Sequence, residues 1–126
     1  MCSSDLGSQQ AGGMAGQKNW IVNEDPAIIT APFPDGYWQT DTSFDAFLAA
    51  VKTRGLTPET TAGVIMETYQ GVGPDFAPVE FVKKLRAWCD ANNIVLTFDE
   101  VQAGFGRTGK FWAFEDRKST RLNSSH

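Results

Sequence analysis

Two short apolar runs separated by one amphipathic stretch constrain the fold of this chain more than any other feature. Ala62-Gly63-Val64-Ile65-Met66 and Ile94-Val95-Leu96-Thr97-Phe98 are nearly continuous apolar segments of strand length, the pattern of strands covered on both faces. Between them Pro78 suits the first turn of a helix, and Val82, Leu85 and Cys89 recur at helical spacing. Asn92-Asn93 then offers a residue able to take the left-handed conformation that ends helices. Strand, helix, strand in that order makes a parallel pair joined by a right-handed crossover. The fold class that follows is α/β, with parallel strands and crossover helices.

Upstream, Phe44, Phe47, Leu48 and Val51 form one helical stripe, with Asp41, Thr42 or Ser43 as the cap and Gly55 as the stop. Ala31-Pro32-Phe33-Pro34-Asp35-Gly36 is extended and then turns, since its prolines fix φ and remove donors. Residues 7–17 are rich in Gly, Ser and Gln and read as loop. The two ends are of another character. Asp116 to His126, DRKSTRLNSSH, has neither apolar periodicity nor turn logic and matches the conceptual translation of a sequencing adapter. Met1 to Leu6 resembles the same adapter read from the opposite strand. The expected organisation is an adapter-derived leader at 1–6, a partial α/β domain at 7–115 and a disordered adapter-derived tail at 116–126.

The 126 residues carry a net charge of −4. Setting the ends aside removes Arg117, Lys118 and Arg121 against Asp5 and Asp116, so residues 7–115 are the more acidic. An acidic surface argues against nucleic acid or an anionic membrane as partner. The one histidine, His126, and one of two cysteines, Cys2, lie in the end segments. The remainder therefore supplies no disulfide, no Ser-His-Asp triad and no His/Cys zinc site. No apolar run is of bilayer-spanning length, and a cytoplasmic origin is expected.

Ligands of open α/β sheets bind beyond the carboxyl ends of the strands. Glu67 follows the first strand there, and Asp99-Glu100 follows the second. A carboxylate at the end of an apolar strand is costly to desolvate unless it meets a cation or strong donors. A helix cap or an edge salt bridge is the simpler alternative. Gly104 to Gly109 also fits the G-x-G-x-x-G dinucleotide pattern, but it does not directly follow a strand. Gly104 to Lys110 fits G-x-x-x-x-G-K, but Phe111 stands where the magnesium-binding Ser or Thr belongs, and the loop follows the acidic strand instead of preceding it. A glycine loop whose backbone another chain or ligand approaches closely accounts for it better.

The run Phe98-Asp99-Glu100-Val101-Gln102-Ala103-Gly104-Phe105-Gly106-Arg107-Thr108-Gly109-Lys110 resembles the class III signature of pyridoxal-phosphate-dependent aminotransferases. Met66-Glu67-Thr68-Tyr69-Gln70-Gly71-Val72-Gly73 is similar to the Glu-containing segment of that family, and Ala31 to Asp35 and Leu85 to Asp90 also look like family positions. The resemblance implies part of the large cofactor-binding domain of a fold-type I enzyme, with pyridoxal 5'-phosphate as cofactor. It implies that Asp99 pairs with the pyridine nitrogen, Val101 packs on the ring, Gln102 hydrogen-bonds near the 3-oxygen and Glu67 supports them. The Gly104 to Gly109 loop would lie near the interface of a homodimer. The reaction implied is a ping-pong amino transfer between an amine or amino acid and a 2-oxo acid or aldehyde.

The lysine that forms the family's Schiff base belongs to a segment downstream of Glu115, so the chain is expected to lack it and to be incompetent alone. Lys110 is wrongly placed to replace it and is expected in solvent. Two positions depart from the family pattern. Thr68 stands where the segment usually has proline, and Val72 where many members carry a second glutamate that gates an arginine. The competing readings are a nucleotide-binding domain using the Gly104 to Lys110 loop and a non-catalytic relative on the same fold.

Overall fold

The computed structural model describes residues 3–12, 15–71 and 75–116. They divide into two compact units, one up to Pro32 and one from Phe33 onward. In the first, helix α1 (Ser3–Ala11) is followed by a 3-10 turn at Ala15–Gln17. This corrects the expectation of a loop from residue 7. Ser, Gln and Ala are tolerated or favoured inside helices, and Gly12 closes the last turn by donating to the Ser8 carbonyl at 3.1 Å. The Gln10 amide donates to the Asp25 carbonyl and Lys18 Nζ to Thr30 Oγ1, each at 3.0 Å, so polar contacts tie this unit together.

The second unit contains the expected crossover. Helix α2 (Phe44–Thr53) begins at Ser43, whose Oγ accepts the Ala46 N–H at 3.1 Å. It ends at Gly55, where φ is +81°. Strand β1 (Gly63–Glu67) leads into a short antiparallel pair, β2 (Tyr69–Gln70) and β3 (Asp75–Phe76). Helix α3 (Val79–Ala91) starts one residue after Pro78, which is the cap and not the first helical residue. Asn93, at φ +55°, makes the sharp turn into strand β4 (Val95–Asp99). A four-residue helix, α4 (Ala113–Asp116), follows a long series of turns. The result is an α/β fold with parallel and antiparallel strands and flanking helices.

Strands β1 and β4 are parallel neighbours, with Val64 opposite Leu96, Met66 opposite Phe98 and Glu67 opposite Asp99. Alternation along a strand sends successive side chains to opposite faces. Val64, Met66, Leu96 and Phe98 face the core, where Phe81, Val82, Leu85 and Cys89 of α3 meet them. Val82 and Leu85 are each 1% exposed, and burial at that level contributes about 1.5–3 kcal/mol per side chain. Phe44 and Phe47 of α2 stack with each other and meet Phe81 and Trp88 edge-on, joining α2 to α3.

The other face of the sheet is not covered among the described residues. Ile65 is 58% and Val95 66% exposed, and Thr97 is exposed beside them. The apolar runs read as strands covered on both sides; within this chain α3 covers one side, and the other is the exposed face expected of a partial domain. One helix, α3, packs on one face, so the odd-numbered residues of both strands keep their apolar surface in solvent.

Candidate functional site

Because Glu67 and Asp99 are register partners, their side chains leave the sheet on the same face. That face is the open one, shared with Ile65 and Thr97. Two half-buried carboxylates thus sit side by side at the carboxyl ends of two parallel strands. Each is held by one backbone donor. The Val101 N–H donates to Asp99 Oδ1 at 2.9 Å, and the Gly71 N–H to Glu67 Oε1 at 3.4 Å. Among the described residues Asp99 Oδ2 has no hydrogen-bond partner, and neither acid forms an ion pair.

Beyond Asp99 the chain turns through Val101, Gln102 and Ala103. Val101, a branched apolar side chain, is 94% exposed. Gln102 is exposed and lies along Gly71. A Cβ added at Gly71 would come within 3.1 Å of Gln102 Cγ, so the missing side chain at 71 makes the room Gln102 occupies. Asp99, Val101, Gln102 and Glu67, singled out in the sequence, are therefore brought to one end of the sheet. Val72 lies outside the described residues.

Glu100 has a part that sequence reasoning missed. Its carboxylate accepts the Ala113 N–H at 2.9 Å and the Phe114 N–H at 3.1 Å, capping α4. Oε1 also faces the hydroxyl of Thr68 at 3.4 Å, and Thr68 is 1% exposed. Nothing in the local pattern distinguishes Glu100 from its neighbour. Its partners stand 13, 14 and 32 residues away in sequence.

The glycine loop has the form of neither phosphate-binding pattern. After β4 it runs through turns for more than ten residues before α4 begins, so among the described residues no helix opens directly from the glycines. Its crowded point is Gly104, which accommodates its own chain. A Cβ there would lie 2.8 Å from the Glu100 carbonyl oxygen and 3.1 Å from the Trp112 ring. Phe105, at φ +57°, is 80% exposed and contacts the rings of Phe111 and Trp112. Lys110 is exposed, as expected. No cluster of His, Cys, Asp and Glu suited to a metal occurs among the described residues, and none of their helices is long and apolar enough to cross a membrane.

Comparison with known proteins adds the decisive observation. Residues 10–120 match the family described as aminotransferase class-III. The chain belongs to the class-III aminotransferase family. It is 47% identical over 88 residues to a diaminobutyrate–2-oxoglutarate transaminase of Halomonas elongata, which covers 67% of this chain and 20% of that protein. It is 46% identical over 72 residues to an acetylornithine aminotransferase of Agrobacterium fabrum, covering 56% of this chain and 16% of the relative. Over 59 residues it is 51% identical to a 5-aminovalerate aminotransferase of Pseudomonas putida, covering 46% and 14%. The chain thus spans about a fifth or less of the length of these relatives.

Membership of this family implies pyridoxal phosphate, and the residues present fit its ring. A carboxylate with one oxygen unengaged suits a protonated ring nitrogen. An exposed branched side chain suits the flat apolar face, and an amide within the same turn suits a ring oxygen.

Proposed function

We propose that this chain is the ring-binding segment of the large domain of a pyridoxal-phosphate-dependent aminotransferase of fold type I. Bound pyridoxal phosphate supplies an electron sink, through which an amino group passes from an amine or amino acid to a 2-oxo acid or aldehyde in two half-reactions. Asp99 holds the proton at the pyridine nitrogen through Oδ2, and that cationic partner offsets the cost of desolvating the carboxylate as the ring covers it. Val101 packs on the ring and excludes water from it. Gln102 donates toward the 3-oxygen, with Gly71 giving it room. Glu67 supports the row from the neighbouring strand. The whole protein works as a cytoplasmic homodimer on small-molecule donors and acceptors, without nucleic acid or membrane. The segment alone does not turn over, since the Schiff-base lysine belongs to a part of the fold outside it.

The observation that carries this reading is the in-register pair Glu67 and Asp99 with Asp99 Oδ2 unengaged, in a chain of this family. The test uses the full-length protein containing this segment. Wild type is expected to bind pyridoxal phosphate with a visible absorption band, and borohydride is expected to fix the cofactor on one lysine found by peptide mapping. Asp99→Ala should weaken binding roughly tenfold to a hundredfold, the effect of losing a hydrogen bond to a charged group. Unchanged affinity and turnover in Asp99→Ala would sink the assignment. A wild type that binds the cofactor but yields no fixed lysine would be a non-catalytic relative instead.

A further inference from the structure

We propose that Glu100, together with Thr68, is a positioning residue that sets the orientation of Asp99 and Val101 toward the cofactor ring. The role rests on the functional reading above. Residue 100 is pinned twice. Its side chain takes two backbone N–H groups of α4 and faces the Thr68 hydroxyl, while its backbone oxygen accepts the Gly104 N–H at 2.8 Å. The two residues beside it are held far less. Asp99 is fixed beyond its strand by the single Val101 N–H, and Val101 is almost wholly in solvent. The direction in which Asp99 Oδ2 and the Val101 side chain point is therefore inherited from the residue between them.

Thr68 is suited to be the fixed end of this link. It is 1% exposed, and its carbonyl accepts the Ala77 N–H at 3.2 Å, so it cannot follow Glu100 if Glu100 moves. It also directly follows Glu67. The Thr68 to Glu100 contact therefore joins the chain just past both acids, across the two strand ends. A carboxylate suits position 100 because each of its oxygens faces a backbone N–H, which can only donate. Glutamine keeps one acceptor but, in either orientation of its amide, turns the NH2 group toward one of the two backbone N–H groups. Removing one partner of such a network leaves the others desolvated and unpaired, so a local change reaches the neighbouring residues.

The experiment compares wild type, Glu100→Ala, Glu100→Gln, Thr68→Val and the Thr68→Val/Glu100→Gln double variant of the full-length protein. Two readouts are taken, backbone amide exchange at residues 99–104 without cofactor, and the affinity and pH midpoint of the visible band with pyridoxal phosphate added. Glu100→Ala is expected to speed exchange at Val101 and Gly104 roughly 5- to 100-fold and to weaken cofactor binding about tenfold. Glu100→Gln and Thr68→Val should fall between, and the double variant should be no worse than the more damaging single one, because they share one interaction. If Glu100→Ala does not fold, the two milder variants and their double decide the matter. Unchanged exchange and an unchanged band in Glu100→Gln and Thr68→Val, beside a normal wild-type band, would overturn this inference alone. A wild type with no band would overturn the functional reading, and the role of Glu100 with it.

Discussion

Gly104→Ala is the substitution on which the local geometry speaks most directly. The φ of Gly104 is ordinary, so an alanine meets no backbone penalty of its own. The obstacle is space, since the new Cβ would stand 2.8 Å from the Glu100 carbonyl oxygen and 3.1 Å from two ring carbons of Trp112. The ring could tilt. The carbonyl cannot retreat freely, because it is the acceptor for the Gly104 N–H at 2.8 Å and belongs to the residue whose side chain caps α4. Overpacking of this kind costs about 1–3 kcal/mol, which is roughly a 5- to 150-fold loss of protection against local opening. Amide exchange at residues 99–104 of the full-length protein measures that loss directly. Gly106→Ala is the informative control. It has no atom within 4 Å of the added Cβ but sits at φ +84°, so it should cost about 1–2 kcal/mol through the backbone alone. Combining Gly104→Ala with Trp112→Leu should recover the ring part of the cost and leave the carbonyl part. Exchange in Gly104→Ala equal to wild type would refute the close approach.

Two further outcomes follow from the packing and the turns. Leu85→Ala, at a site 1% exposed between α3 and the sheet, should lower stability by about 2–5 kcal/mol in urea unfolding, whereas Lys84→Ala, next to it and exposed, should change it by less than about 0.5 kcal/mol. The Asp35 carboxylate accepts the N–H groups of Gln39, Tyr37 and Trp38, and the Gln39 donor foremost holds its pKa below the ordinary value. A depressed folded pKa stabilises the turn fully above the unfolded value and loses that contribution as pH falls through the folded one. A carboxyl carbon resonance assigned with Asp35→Asn should therefore titrate at lower pH than in an unstructured peptide of the same residues, and an equal midpoint would contradict it.

The sequence carried the crossover because its signals are local and agree. The stripe Phe44, Phe47, Leu48 with Ser43 before it and Gly55 after it admits one helix, and Asn93 takes the left-handed turn that its side-chain type suggests. The row of Glu67 and Asp99 was legible only as two acids at two strand ends. That they oppose each other depends on register, which periodicity alone does not set. Which face stays open was not legible, because an apolar run is the same string of residues whether one side is covered or two. Residues 7–11 were misread for a related reason, since Gly, Ser and Gln are permissive and a helix forms where neighbours hold it. Glu100 was beyond reach, because its function consists of contacts to positions 68, 113 and 114.

The pairing of Glu67 with Asp99 is also guarded against error. If β1 slid by one residue along β4, Met66 would come opposite Asp99, and the faces of the strand would exchange. Val64 and Met66 would leave the hydrophobic contact with α3 and Glu67 would be driven into it, so the slipped pairing would lose apolar burial and trap a charge at once. A slip of two residues the same way would restore the faces but bring Ile65 opposite Asp99. The core on one side of the sheet thus acts as a proofreader for the acids on the other, and errors in folding there would be rejected long before any ligand arrived.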